Sequence, residues 1–137
     1  MKPKYKAMVL SCIDPRFQSL VHHYLKKKKL VGRYSAFTIA GAAVGVTNNK
    51  FKKWHDTFYE NLATSIKLHK IKKLIVINHI DCGAAKIVNR KKFFNLQNEK
   101  KIHLESFLKL KNKIKNKFSY LKVECYIISL NKKIKKF

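Results

Sequence analysis

"KLIVINHIDCG", residues 73–83, is a continuous apolar run, rich in β-branched residues, that ends at a histidine and a cysteine. A strand with one solvated face would alternate polar with apolar side chains. An uninterrupted stretch such as Leu74–Ile77 is what a parallel sheet buries on both faces. It therefore predicts a central strand of an α/β protein. Working outward, "KAMVLSCI" (6–13), "YSAFTIAG" (34–41) and "LKVECYIISL" (121–130) read as further buried strands. Helical patterns lie between them. Pro15 suits the first position of a helix running to about Lys28. Phe58, Leu62 and Ile66 recur at four-residue spacing in a helix over roughly 51–70. A short helix is expected near Ala84–Asn89. Another covers about 103–118, carrying Leu104, Phe107, Leu110, Ile114 and Phe118, and residues 42–49 read as a loop. Strands alternating with helices predict βαβ units. The expected fold is α/β, with a mostly parallel central sheet of about four strands flanked by helices. No repeat or linker divides the chain, so residues 1–137 form a single domain, with 131–137 ("NKKIKKF") a basic, loosely ordered tail.

Composition narrows the function. A hydrophobic fraction of 46% argues against disorder. No run reaches the roughly 18 apolar residues needed to span a bilayer. The stretch "MKPKYKAMVL" lacks the apolar core of a secretory signal, so a cytoplasmic location is expected. Three cysteines make no disulfide framework, and reduced thiols are expected. The net charge of +25 invites a nucleic-acid reading, because basic surfaces release counterions from phosphate backbones. Among the 32 basic residues, however, only Arg16, Arg33 and Arg90 are arginines, and the lysines are scattered throughout. That usage fits a solvated surface better than phosphate recognition, so nucleic acid is the less favoured partner.

In open parallel sheets, ligands bind beyond the carboxyl ends of the strands. Cys12 stands at that end of the first strand, while His79 and Cys82 stand at that end of the third. The second strand runs out into "IAGAAVG" (39–45), a small-residue loop that lets backbone approach a site. Two thiolates and an imidazole suit zinc, which catalytic sites hold with three protein ligands and one open position. Asp14 and Arg16 complete a Cys-x-Asp-x-Arg segment on the same edge. Arg16, always charged, can keep Asp14 ionised in a bidentate pair. Asp14 before Pro15 also reads as a helix N-cap. Cys125 reads as core, His22 and His23 as surface, His69 and His103 as solvated, and Asp81 as turn chemistry. Trp54, Phe58 and Tyr59 read as helix-face packing.

The segments "CIDPR" (12–16), "AGA" (40–42) and "HIDCG" (79–83), in that order, resemble the beta-class carbonic anhydrases. The resemblance covers roughly residues 7–90, and Pro15 stands where that family usually has a small residue. It implies that Cys12, His79 and Cys82 are zinc ligands and that Asp14 and Arg16 are the catalytic dyad. Asp14 is then a fourth ligand only in a closed form. It further implies a zinc lyase that reversibly hydrates carbon dioxide to bicarbonate through zinc-bound hydroxide, working as a homodimer or higher homo-oligomer. Candidates for carrying the proton onward are His22, His23 and His55. Two alternatives remain open at this point. One is the same scaffold acting on carbonyl sulfide or carbon disulfide. The other is a non-catalytic zinc-binding protein with a basic nucleic-acid-binding surface.

Overall fold

The run Leu74–Ile77 lies mid-sheet, covered on both faces. The computed structural model describes residues 4–137. Strands β1 (Ala7–Ser11), β2 (Tyr34–Thr38), β3 (Lys73–His79) and β4 (Lys122–Ile128) run parallel. A fifth strand, β5 (Ile134–Lys136), pairs antiparallel with β4, and the order across the sheet is β2-β1-β3-β4-β5. On one face Leu74 and Val76 join Met8 and Leu10 of β1. They pack against Phe58 and Leu62 of α3 (Lys52–His69) and Phe107, Leu110 and Ile114 of α5 (Leu96–Lys117). On the other face Ile75 and Ile77 join Ala7 and Val9, beneath Phe17 and, from α1 (Gln18–Lys27), Val21 and Leu25. Burying each large apolar side chain stabilises the fold by roughly 1.5–3 kcal/mol. No helix among the described residues is long and apolar enough to cross a membrane.

Several expectations are corrected. The segment 131–137, expected as a loose tail, contributes β5, a short antiparallel strand added to the edge of the expected, mostly parallel sheet. The turn before it places Lys132 at φ 62 and is closed by Ser129 N–H donating to the Lys133 carbonyl. A three-residue edge strand with lysines on it carries almost no apolar signal, because edges are protected by charge rather than buried. The stretch taken as a loop contains α2 (Ala43–Thr47). The helix expected from 103 begins at Leu96, because the Asn95 side chain caps it by accepting from Asn98 N–H at 2.9 Å. Pro15–Phe17 forms a tight 3₁₀ turn ahead of α1. His103 is buried on the inward stripe of α5 and is not solvated, and His69 is half-buried against Tyr5. Cys125 is buried in the core, as read from the sequence.

From β1 the chain passes to β2 on one side, then to β3 on the other. The crevice at the carboxyl ends of β1 and β3 is therefore the topological switch point. Helix α2 is held against it by glycine, since a Cβ on Gly45 would stand 2.1 Å from the Ala40 carbonyl oxygen. Gly45→Ala is expected to cost about 1–3 kcal/mol of stability, or more where the backbone cannot shift. The midpoint of urea unfolding measures it, and an unchanged midpoint would show that the loop is not held there.

Candidate metal centre

Ser11 of β1 lies in register with Ile77 of β3. One residue further along β1 and two along β3 stand Cys12 and His79, and Cys82 follows just before α4 (Gly83–Val88). Asp81 makes the turn between them with φ at 61, a left-handed conformation that aspartate tolerates better than most residues. The ligand atoms of Cys12, His79 and Cys82 all lie within 4.8 Å of one another, and all three residues are buried.

The His79 ring stacks on Phe17, with centroids 4.3 Å apart. Its Nδ1–H donates to the Ile80 carbonyl at 2.8 Å, which leaves the Nε2 lone pair directed into the cluster. That Nε2 is buried and has no hydrogen-bond partner. A buried polar atom without a partner costs about 1–3 kcal/mol, so the cluster is built around something that accepts this lone pair. A thiophilic cation meets that requirement, and the donor set of two sulfurs and one imidazole nitrogen fits zinc chemistry.

The Cys12 sulfur accepts the Gly41 N–H at 3.3 Å. Gly41 has φ +81, and a Cβ there would meet Ala84 Cβ at 2.7 Å. Only glycine lets this amide come so close. The Cys12 thiol is pushed down to about 4, first by a hydrogen bond from Cys82, with His79 and the backbone amides adding against the opposing effect of burial. The same hydrogen bond, together with burial, pushes the Cys82 thiol up. Burial alone would lower His79. The adjoining Cys12 thiolate and the Ile80 carbonyl outweigh it and raise that imidazole.

Asp14 caps the turn and faces the site at once. Its Oδ1 accepts from the Arg16 backbone N–H at 2.9 Å and from Nε at 3.1 Å, while Oδ2 accepts from Nη2 at 2.7 Å. Asp14 Oδ2 also lies 3.7 Å from His79 Nε2. The guanidinium of Arg16 holds the Asp14 carboxyl down to about 2. Arg16 reaches across to Asp81 as well, donating from Nη1 to Oδ2 and from Nη2 to the backbone carbonyl, each at 2.9 Å. Asp81 is thus a turn residue, as expected, and also a second anchor for Arg16.

The structure brings together Cys12, Asp14, Arg16, His79 and Cys82. His22 and His23 are exposed on α1, and the buried His55 donates from Nε2 to the Asn48 carbonyl at 3.0 Å. Glu99 was missed by the sequence reading. Its carboxylate accepts the backbone N–H groups of Asp81 and Cys82, each at 2.9 Å. Burial would favour its neutral form, but hydrogen bonds from His103 and these two amides lower its pKa. A signal did exist: Glu99 and His103 continue the inward spacing of Phe107, Leu110 and Ile114.

The model of the family described as "Putative carbonic anhydrase" matches residues 2–135. An uncharacterised protein of Rickettsia bellii is 27% identical over 125 residues, covering 90% of this chain and 76% of its own. Among solved structures, a carbonic anhydrase from Glaciozyma antarctica superposes with a TM-score of 0.61 at 18% identity, covering 99% of this chain and 83% of that one. A beta-carbonic anhydrase from Sordaria macrospora, described as tetrameric, gives 0.60 at 11% identity, covering 99% and 82%. At such identities the likeness is one of fold. The family match spans almost the entire chain, over a sheet whose switch point carries the cysteine–histidine–cysteine cluster, and the chain belongs to that carbonic anhydrase family.

Proposed function

We propose that this protein is a zinc-dependent lyase interconverting carbon dioxide and bicarbonate, with Cys12, His79 and Cys82 as metal ligands. The observation that carries the reading is the unpartnered, buried His79 Nε2, set among two thiol sulfurs and facing an arginine-held carboxylate. Zinc held there would supply the Lewis acidity that makes water nucleophilic near neutral pH. The protein's own residues do the rest. Arg16 keeps Asp14 ionised and fixes its orientation, so Oδ2 is available to accept a hydrogen bond, and then a proton, from water at the site. Release from Arg16 would free the same carboxylate to act as a fourth ligand, the closed form. Asp81 opposes that release by holding the guanidinium from its other side. Ala84, Ala85, Phe51 and Phe94 pack around the thiols, giving surroundings suited to a small apolar substrate.

The same reading takes in assembly and location. Ile13, Ile87 and Phe93 are large, exposed apolar side chains beside the segments that carry the ligands, which supports a homodimer or higher homo-oligomer. Three unpaired, buried thiols suit the reducing conditions of the cytoplasm.

Two outcomes test the site. The purified protein should carry about one zinc per chain and accelerate carbon dioxide hydration in a stopped-flow indicator assay. Cys82→Ser should lose both, and hydration that survives this change would overturn the reading. The dyad is tested by pH. The Arg16 guanidinium holds the Asp14 carboxyl of the folded protein down to about 2, below its ordinary value of about 3.9. Its pairing therefore contributes stability that is complete above the ordinary value and is lost as pH falls toward the folded one. Arg16→Gln should raise the Asp14 carboxyl toward its ordinary range in a carboxyl-carbon NMR titration. An unmoved titration would show that Arg16 does not hold it.

A further inference from the structure

Behind the metal centre runs a buried line of hydrogen bonds whose direction can be deduced from one end. The Ala43 backbone N–H can only donate, and it donates to Asn78 Oδ1 at 3.1 Å. Asn78 therefore turns its Nδ2 toward His103 Nδ1, 2.8 Å away, and toward Ser106 Oγ at 3.3 Å. Since Asn78 donates there, His103 Nδ1 accepts and bears no hydrogen. The ring hydrogen sits on Nε2, which donates to Glu99 Oε2 at 3.0 Å. Glu99 accepts in turn from Asp81 N–H and Cys82 N–H. Glu99, His103 and Asn78 are 3%, 1% and 1% exposed, so no water competes for these bonds.

The line touches all three arms of the centre. Ala43 opens α2 in the loop whose Gly41 N–H reaches the Cys12 sulfur. Asn78 is the β3 residue immediately before His79. Glu99 grips the backbone of Cys82 and of the turn preceding it. A carboxylate is costly to bury without such partners, and a solvated helix end would need none of them.

We infer that Ala43, Asn78, His103, Glu99 and Cys82 form one polarised hydrogen-bond relay that positions the three ligand arms relative to one another, with Glu99 as its principal positioning residue. The inference rests on the metal-binding reading of Cys12, His79 and Cys82. The relay works only with one tautomer of His103 and with an acceptor-only side chain at 99. In Glu99→Gln the volume is kept, but the new NH₂ group meets a donor whichever way the amide turns.

The test compares wild type, Glu99→Gln, His103→Leu and Ile114→Val, the last a core change on the same helix outside the relay. Zinc affinity is read by competition with a chromogenic chelator, and ligand geometry by the thiolate-to-metal absorption of the cobalt-substituted protein. Glu99→Gln should bind zinc about 10- to 100-fold more weakly, the range typical of losing an outer hydrogen bond to a metal site. It should also show a weakened charge-transfer band. Ile114→Val should leave both unchanged at a comparable loss of melting temperature. His103→Leu, which can neither accept from Asn78 nor donate to Glu99, serves if Glu99→Gln does not fold, with the same expectation. Wild-type affinity and absorption in a folded relay variant would overturn the inference. Should wild type bind neither metal, the zinc reading fails, and amide exchange in the metal-free protein decides this one. The Asp81 and Cys82 N–H groups must exchange faster in the relay variants than in wild type. In every case the nitrogen NMR shifts of His103 must place the hydrogen on Nε2, and a hydrogen on Nδ1 overturns the relay.

Discussion

Because β1 and β3 pair in parallel with Ser11 opposite Ile77, both strands run out at the same edge of the sheet. Two segments remote in sequence are thereby obliged to meet with their next residues in hand. An antiparallel pairing would have sent Cys12 and His79 to opposite ends, whereas the helical crossovers between β1 and β3 return the chain for a parallel one. The small-residue loop after β2 closes over the same edge, bringing the Gly41 amide to the Cys12 sulfur. The approach of Cys12 to His79 descends from that one register, which in turn is held by apolar side chains buried on both faces.

The distribution of charge follows a related logic. The chain holds only seven acidic residues against 32 basic ones, yet Asp14, Asp81 and Glu99 all gather around the cluster. Elsewhere most lysines face solvent, with Lys73 and Lys136 drawn to Glu124. Two of the three carboxylates share one guanidinium, and the third is sealed behind the backbone of Cys82. In a molecule so strongly positive, each anion at the centre is held by directed hydrogen-bond donors rather than by the general field.

Much of this was legible in the sequence, for physical reasons. Strand runs buried on both faces give an unmistakable apolar pattern, and Cys12, Asp14, Arg16, His79 and Cys82 sit at strand exits, where the topology makes their meeting predictable. What escaped was of two kinds. Strand β5 is a lysine-bearing edge, so it lacks the pattern by which buried strands are recognised. Glu99 and His103 were hidden because a buried polar residue looks, in a helical stretch, like any solvated one. Their inward spacing with Phe107, Leu110 and Ile114 was the one local sign, and it does not name the partners of the carboxylate, which are the backbone of a turn about 17 residues away. Asp81 was read correctly as a turn residue but not as a partner of Arg16, for the same reason.

Cys125 adds a last consequence. Its thiol, buried in the core under α5, is pushed up to about 11, whereas Cys12 lies near 4. Burial keeps the first a neutral thiol, whereas neighbouring hydrogen-bond donors favour the anion of the second, although both are free and both are buried. Cys82 lies beside Cys12, its own thiol pushed up by that neighbour and by burial. One residue type thus serves once as plain core packing and twice as neighbouring sulfurs at the edge of the sheet, a difference that surroundings alone impose.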